Sequence, residues 1–255
     1  MWELYDALIE GIPAGLRVER AVCGWSRAVV TTELGAGLGA VLEGETRPPT
    51  AAEALEGAPL RDAAALIRSW NFPEAALGLA AVNAYYNAPE IARAAGVPLP
   101  DARHGEDRVN DPFIMSQNLV RGKKVCVVGH FPYLETLFEP VCDLSIVEWE
   151  PEEDGDYPFS AGEALIPESE VVFLSARSLV DKTFPRLLEL SRGASHVVLV
   201  GPITPLAPLL LEAGIDDLSG FVIREPETAL ALACGSRRGK IYTAGQKVSL
   251  RRAER

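Results

Sequence analysis

The chain has 255 residues, 48% of them apolar, and a formal charge of −12 from 36 acidic against 24 basic side chains. That length supports one large core or two modest ones, and the acidic balance with scattered arginines argues against a nucleic-acid partner. No apolar run approaches the roughly 18 residues of a membrane span, and Met1 to Glu10 carries acids where a secretory leader has a basic start, so the expected setting is the cytoplasm with no membrane partner.

Met1 to Ile9 spaces its apolar residues as a helix does. Three strand-like stretches follow, at about Arg17 to Cys23, Arg27 to Thr32 and Gly39 to Leu42. They are separated by Gly24-Trp25-Ser26 and by Leu34-Gly35-Ala36-Gly37-Leu38, whose glycines read as tight turns. An antiparallel meander is the natural arrangement. Helices are predicted over Leu60 to Trp70 and Pro73 to Tyr85, the second opening on a proline as helix starts favour. Asn83 interrupts the apolar surface of that second helix, and a buried amide must find partners, either in a ligand or in neighbouring backbone. Glu33, beside the glycine-rich run, is a candidate for facing the same interface.

Residues Val97 to Pro112 hold three prolines and many charges without periodicity, and read as a linker between a domain over 1–100 and one over 101–255. Beyond it strands and helices alternate, which predicts a parallel sheet with crossover helices of Rossmann-like type. The predicted strands are Lys124 to Val128, Leu144 to Trp149, Glu170 to Leu174, His196 to Val200 and Gly220 to Ile223. The predicted helices are Tyr133 to Glu139, Lys182 to Ser191, Leu206 to Ala213 and Thr228 to Ala233.

In such sheets ligands sit beyond the carboxyl ends of the strands. Those ends supply Gly129 and His130, then Glu148, then Ser175, then Gly201 and Thr204. His130, flanked by Gly129 and by Pro132, is a candidate metal ligand or general acid/base; the competing assignment is a histidine that only caps the strand. Glu148 stands 19 positions beyond Gly129, where dinucleotide-binding folds place an acid for ribose. The turn itself, Gly129-His-Phe-Pro-Tyr-Leu134, lacks the second and third glycines of the dinucleotide fingerprint, so no dinucleotide is expected. Glu148 also opens an acidic run that ends at Asp156, and such runs are commonly just solvated. The stiff loop Gly201-Pro-Ile-Thr-Pro-Leu-Ala-Pro208 is equally a ligand-contacting segment or a plain connector.

Cys23, Cys126, Cys142 and Cys234 are too dispersed for a zinc or redox pair and read as reduced thiols, Cys126 as a small buried hydrophobe. His104 falls in the linker and His196 opens a strand, so a multi-histidine centre would need distant segments. Neither a nucleophile elbow nor a His-Glu-x-x-His helix is present.

Val127-Val-Gly-His-Phe-Pro132, Leu187 to Ser191, Gly201-Pro-Ile-Thr-Pro-Leu206 and Gly214-Ile-Asp-Asp-Leu-Ser-Gly220 resemble motifs of the heavy-metal chelation family. Gly78-Leu-Ala-Ala-Val-Asn-Ala-Tyr-Tyr-Asn87 resembles the end of that family's paired N-terminal domain, so the resemblance spans nearly the whole chain. It implies an α/β fold in which a smaller α+β domain similar to the N-terminal domain of enolases precedes a Rossmann-like domain, with a site between them that includes His130, Asn83 and Thr204. One departure is Ser175-Ala-Arg-Ser-Leu-Val-Asp-Lys-Thr183, where Asp181 replaces an amide and Arg177 adds a charge. The expected function is binding of a small ligand, a transition-metal ion or a metal complex, in the interdomain cleft, with nitrogen from His130 and oxygen from Glu148 or Asp181. The alternative is an enzyme acting on a small, nucleoside-containing molecule with His130 as acid/base. A homodimer is expected only as the commonest assembly of such proteins.

Overall fold

The computed structural model describes residues 2–44, 46–50, 54–100, 110–151 and 155–252. In chain order its elements are α1 (Glu3–Glu10), β1 (Arg20–Cys23), β2 (Arg27–Thr32), β3 (Gly35–Ala40), α2 (Leu60–Ala65), α3 (Phe72–Tyr86), α4 (Pro89–Ala94) and α5 (Pro112–Val120). There follow β4 (Lys124–Val128), α6 (Leu134–Phe138), β5 (Asp143–Glu148), β6 (Tyr157–Pro158), α7 (Gly162–Leu165), β7 (Val171–Ser175), α8 (Ser178–Asp181) and α9 (Phe184–Leu190). The last are β8 (His196–Val200), α10 (Pro208–Glu212), β9 (Asp217–Ile223), α11 (Pro226–Ala233) and β10 (Gly245–Arg251).

The first three strands form the expected antiparallel meander, ordered β1-β2-β3. Its third strand differs from the expectation: Gly35 to Ala40 is strand, and only Glu33 and Leu34 turn. The glycines serve close helix packing rather than a turn. A Cβ on Gly37 would lie 2.1 Å from the Ala80 carbonyl oxygen, and one on Gly39 would lie 2.0 Å from that of Ala76, so α3 can rest on β3 only where side chains are missing. Helix α3 starts on Asn71, whose side chain accepts from the Glu74 amide, and on Pro73 within its first turn. Apolar all round, it is buried on nearly every side, which marks a central helix. One core runs without a break from Tyr5 and Leu8 through α3 to Val128, Leu174 and Val222, joining both halves of the chain.

The second half is a seven-stranded sheet in the order β10-β9-β8-β7-β4-β5-β6, parallel except for β10, which pairs antiparallel with β9. From β4 the chain moves outward through β5 to β6, then returns to β7 and proceeds the other way, so the strand order reverses between β4 and β7. Val125–Val128 reads as continuously apolar because both faces are covered. Cys126 and Val128 enter the large core, while Val125 and Val127 enter a second one with Phe113, Leu134, Phe138 and Phe173. Helix α5 and the edge pair β6 and β10 were not anticipated; α5 begins at Pro112, inside the expected linker. Residues 101–109 of that linker, His104 among them, lie outside the described residues.

All four cysteines are free. Cys126 is fully buried, which pushes its thiol up to about 12. No helix among the described residues is long and apolar enough to cross a membrane.

Candidate metal centre

Strand β4 ends at Gly129, whose φ of 104° lies in the left-handed region that favours glycine. A Cβ there would also stand 3.0 Å from Cβ of Ser175, at the end of β7. The chain then reverses under three restraints. The Gly129 amide donates to the Val147 carbonyl at 2.9 Å, the His130 amide donates to Glu148 Oε2 at 2.8 Å, and Phe131 packs on Phe113 with ring centroids 4.9 Å apart. The other Glu148 oxygen accepts from the Trp149 amide at 2.7 Å. Glu148 therefore clamps the turn that carries His130, and the imidazole projects beside it.

Two carboxylates meet that ring. His130 Nδ1 lies 3.1 Å from Asp156 Oδ2, and Nε2 lies 3.5 Å from Glu135 Oε1. Glu135 stands in the first turn of α6, entered through Tyr133 in a left-handed conformation at φ 70°. Asp156 immediately precedes β6, whose pairing of Tyr157 with Val147 brings it alongside β5. The imidazole is 17% exposed, the Asp156 side chain 1% and that of Glu135 34%, so the cluster opens to solvent on the Glu135 side. Donor atoms of His130, Glu135 and Asp156 all lie within 4.8 Å of one another. A cavity of about 540 Å³ opens at the cluster, lined also by Pro132, Tyr133, Glu139, Leu144, Ile146 and Gly155.

The arrangement is a nitrogen and oxygen donor set on one wall of a hollow, which suits borderline transition-metal ions better than magnesium. Glu148, expected as the oxygen donor, accepts from the His130 and Trp149 amides, and the carboxylates nearest the ring are Glu135 and Asp156. Glu135 follows His130 by five residues across a strand-turn-helix, and Asp156 ends the acidic run; spacing along a strand end was the available signal for the first, and only the β5–β6 pairing reveals the second.

The remaining expected site residues fall elsewhere. Among the described residues, the first hundred contribute none to this cavity, which is lined by the second half of the chain. Asn83 is fully buried and donates through Nδ2 to the carbonyls of Leu38 and Ile203, each at 2.8 Å, bridging β3 to the loop after β8. Asn87, one turn on, donates to the carbonyls of Thr204 and Phe221 and accepts from the Leu206 amide. Asn83 Oδ1 and the Thr204 hydroxyl are buried with no hydrogen-bond partner among the described residues. Gly201, at φ 135°, opens that same docked loop. The Ser175 hydroxyl accepts from the Arg177 amide at 3.4 Å. Asp181 accepts from the amide and hydroxyl of Thr183 and from Trp149 Nε1, and burial pushes its carboxyl above the usual range.

Similarity to known proteins agrees with this architecture. No curated protein matches the sequence. A crystal structure of a DUF364-family protein of unknown function from Desulfitobacterium hafniense is 53% identical, with a TM-score of 0.92 over 99% of each chain. A second, from Pyrococcus horikoshii, is 19% identical with a TM-score of 0.72, covers 97% of this chain and 98% of its own, and shows the shared fold. Residues 5–86 match the family model DUF4213 and residues 111–251 match DUF364, each described as "Putative heavy-metal chelation". Seven strands reversing order at β4, a three-stranded meander packed on α3 and these matches together show that the chain belongs to the DUF364 family.

Proposed function

We propose that this protein binds a transition-metal ion at the carboxyl end of β4, with His130 Nε2 and the Glu135 carboxylate as donors. The observation that supports it is that His130, Glu135 and Asp156 bring ligand-type atoms within 4.8 Å of one another in the lining of a cavity, two to hold the ion and one to orient the imidazole. One imidazole gives one nitrogen to one ion. Asp156, at 3.1 Å from Nδ1, holds the proton on that nitrogen and leaves Nε2 facing Glu135. Glu148 contributes as a positioning residue, through the His130 amide. The cysteines lie outside the donor set, so a thiolate centre has no support here.

Calorimetric titration of chelator-stripped protein with zinc or nickel tests this. A single site is expected in the wild type, lost in His130→Ala and weakened about 10- to 100-fold in Asp156→Asn, as loss of a group that orients a ligating histidine commonly does. Absence of uptake by the wild type, or unchanged uptake by His130→Ala, refutes the proposal.

A further inference from the structure

We infer that the ion is held jointly by the protein and by a small, neutral nitrogen-donor chelator that occupies the rest of the cavity; this rests on the metal reading just proposed. The hollow of about 540 Å³ falls in the range of small-molecule pockets and far exceeds the roughly 30 Å³ share of one water, so an ion alone leaves most of it unfilled. His130 Nε2 and Glu135 supply two donors, whereas ions that take such ligands bind four or more, which leaves at least two positions for an exogenous molecule. The lining is largely polar, with Leu144, Ile146 and Pro132 as its aliphatic members. Tyr133, 76% exposed on a left-handed backbone, offers a ring face at the rim.

Charge selects the class of chelator. Glu135, Glu139 and Asp156 bring three carboxylates to a cavity with one histidine, so a divalent ion leaves the site without surplus positive charge. An anionic chelator would face like charge there, whereas a neutral nitrogen heterocycle meets the ion and the tyrosine ring without that repulsion.

The test uses the full chain, nickel, and 2,2′-bipyridine as the probe. Native mass spectrometry should show a complex of protein, nickel and bipyridine with one of each. Calorimetry should show the preformed nickel–bipyridine complex binding about tenfold more tightly than nickel alone. Oxalate in place of bipyridine should give no ternary complex. Tyr133→Gly, which suits the left-handed backbone and so keeps the fold, should reduce the ratio of the two affinities toward one. If bipyridine instead strips nickel from protein that binds the bare ion, or if oxalate forms the ternary complex equally well, the inference is overturned while the metal reading stands. If the protein takes up neither nickel nor its complex, both fall.

Discussion

His130 and Cys126 sit four residues apart on one strand and its turn, yet their surroundings give them opposite chemistry. The imidazole leaves the sheet between two carboxylates, while the thiol points into the large core with nothing polar to stabilise its anion. Burial raises the Cys126 thiol from 9.0 to about 12, so the native protein keeps a proton that the unfolded chain loses. A group raised in the folded state stabilises fully below its unfolded value, and that stability disappears as pH rises from about 9 toward 12, with a slope of up to ~1.4 kcal/mol per pH unit. Denaturant unfolding of wild type and Cys126→Ala at pH 8 and pH 10 should therefore show the variant less stable by about 1 kcal/mol at the lower pH, through lost packing. The gap should close or reverse at the higher one; parallel behaviour would contradict the burial argument. At this same scale the sequence marked His130, because a glycine and a proline around a histidine at a buried strand's end announce a shaped turn. It did not identify the oxygen partners, since Glu135 and Asp156 are ordinary surface acids until the backbone brings them to the ring.

Among the elements, β3 and α3 show how a residue pattern acquires its meaning from what packs on it. Gly35-Ala36-Gly37-Leu38 reads locally as turn, because glycine weakens a strand and contributes no side chain. In the fold those missing side chains let α3 approach the sheet. Gly37→Ala would place a methyl 2.1 Å from both the Ala80 carbonyl oxygen and the Ala84 amide nitrogen, so the helix must move, at a cost of about 1–3 kcal/mol or more. Gly15→Ala has nothing within 4 Å of the added methyl and serves as the control. Thermal unfolding of the two variants should separate clearly; equal melting temperatures would mean that α3 does not bear on β3 as described. Strands β4, β7 and β8 were legible for the converse reason: four apolar residues in a row, closed by a small polar residue or glycine, have few solutions other than a strand covered on both faces. The edge strand β10 was missed because its exposed face makes it polar at alternate positions and leaves the run without that signature.

Across the whole molecule one apolar core joins the two halves, and α3 packs on the first sheet while the end of the helix reaches the second half. Its asparagines, Asn83 and Asn87, present amides to backbone groups of the Ile203–Leu206 loop. Asn87→Ala would orphan the carbonyls of Thr204 and Phe221 and the amide of Leu206, all buried, for a loss on the order of 3 kcal/mol or more. Hydrogen exchange should accelerate at Leu206, and unfolding should shift to lower denaturant; unchanged protection there would show that the asparagine does not hold the halves together. What the order of residues determined alone was the class of architecture and the strand end at which His130 stands, because apolar periodicity and turn residues act over a few positions and leave their mark in the chain. Only the tertiary structure decided which acids surround His130, which residues line the cavity beside it, and that Asn83 joins backbone to backbone. Each of those depends on contacts between segments far apart in sequence, and such contacts are set by how strands pair and helices pack, which no local spacing encodes.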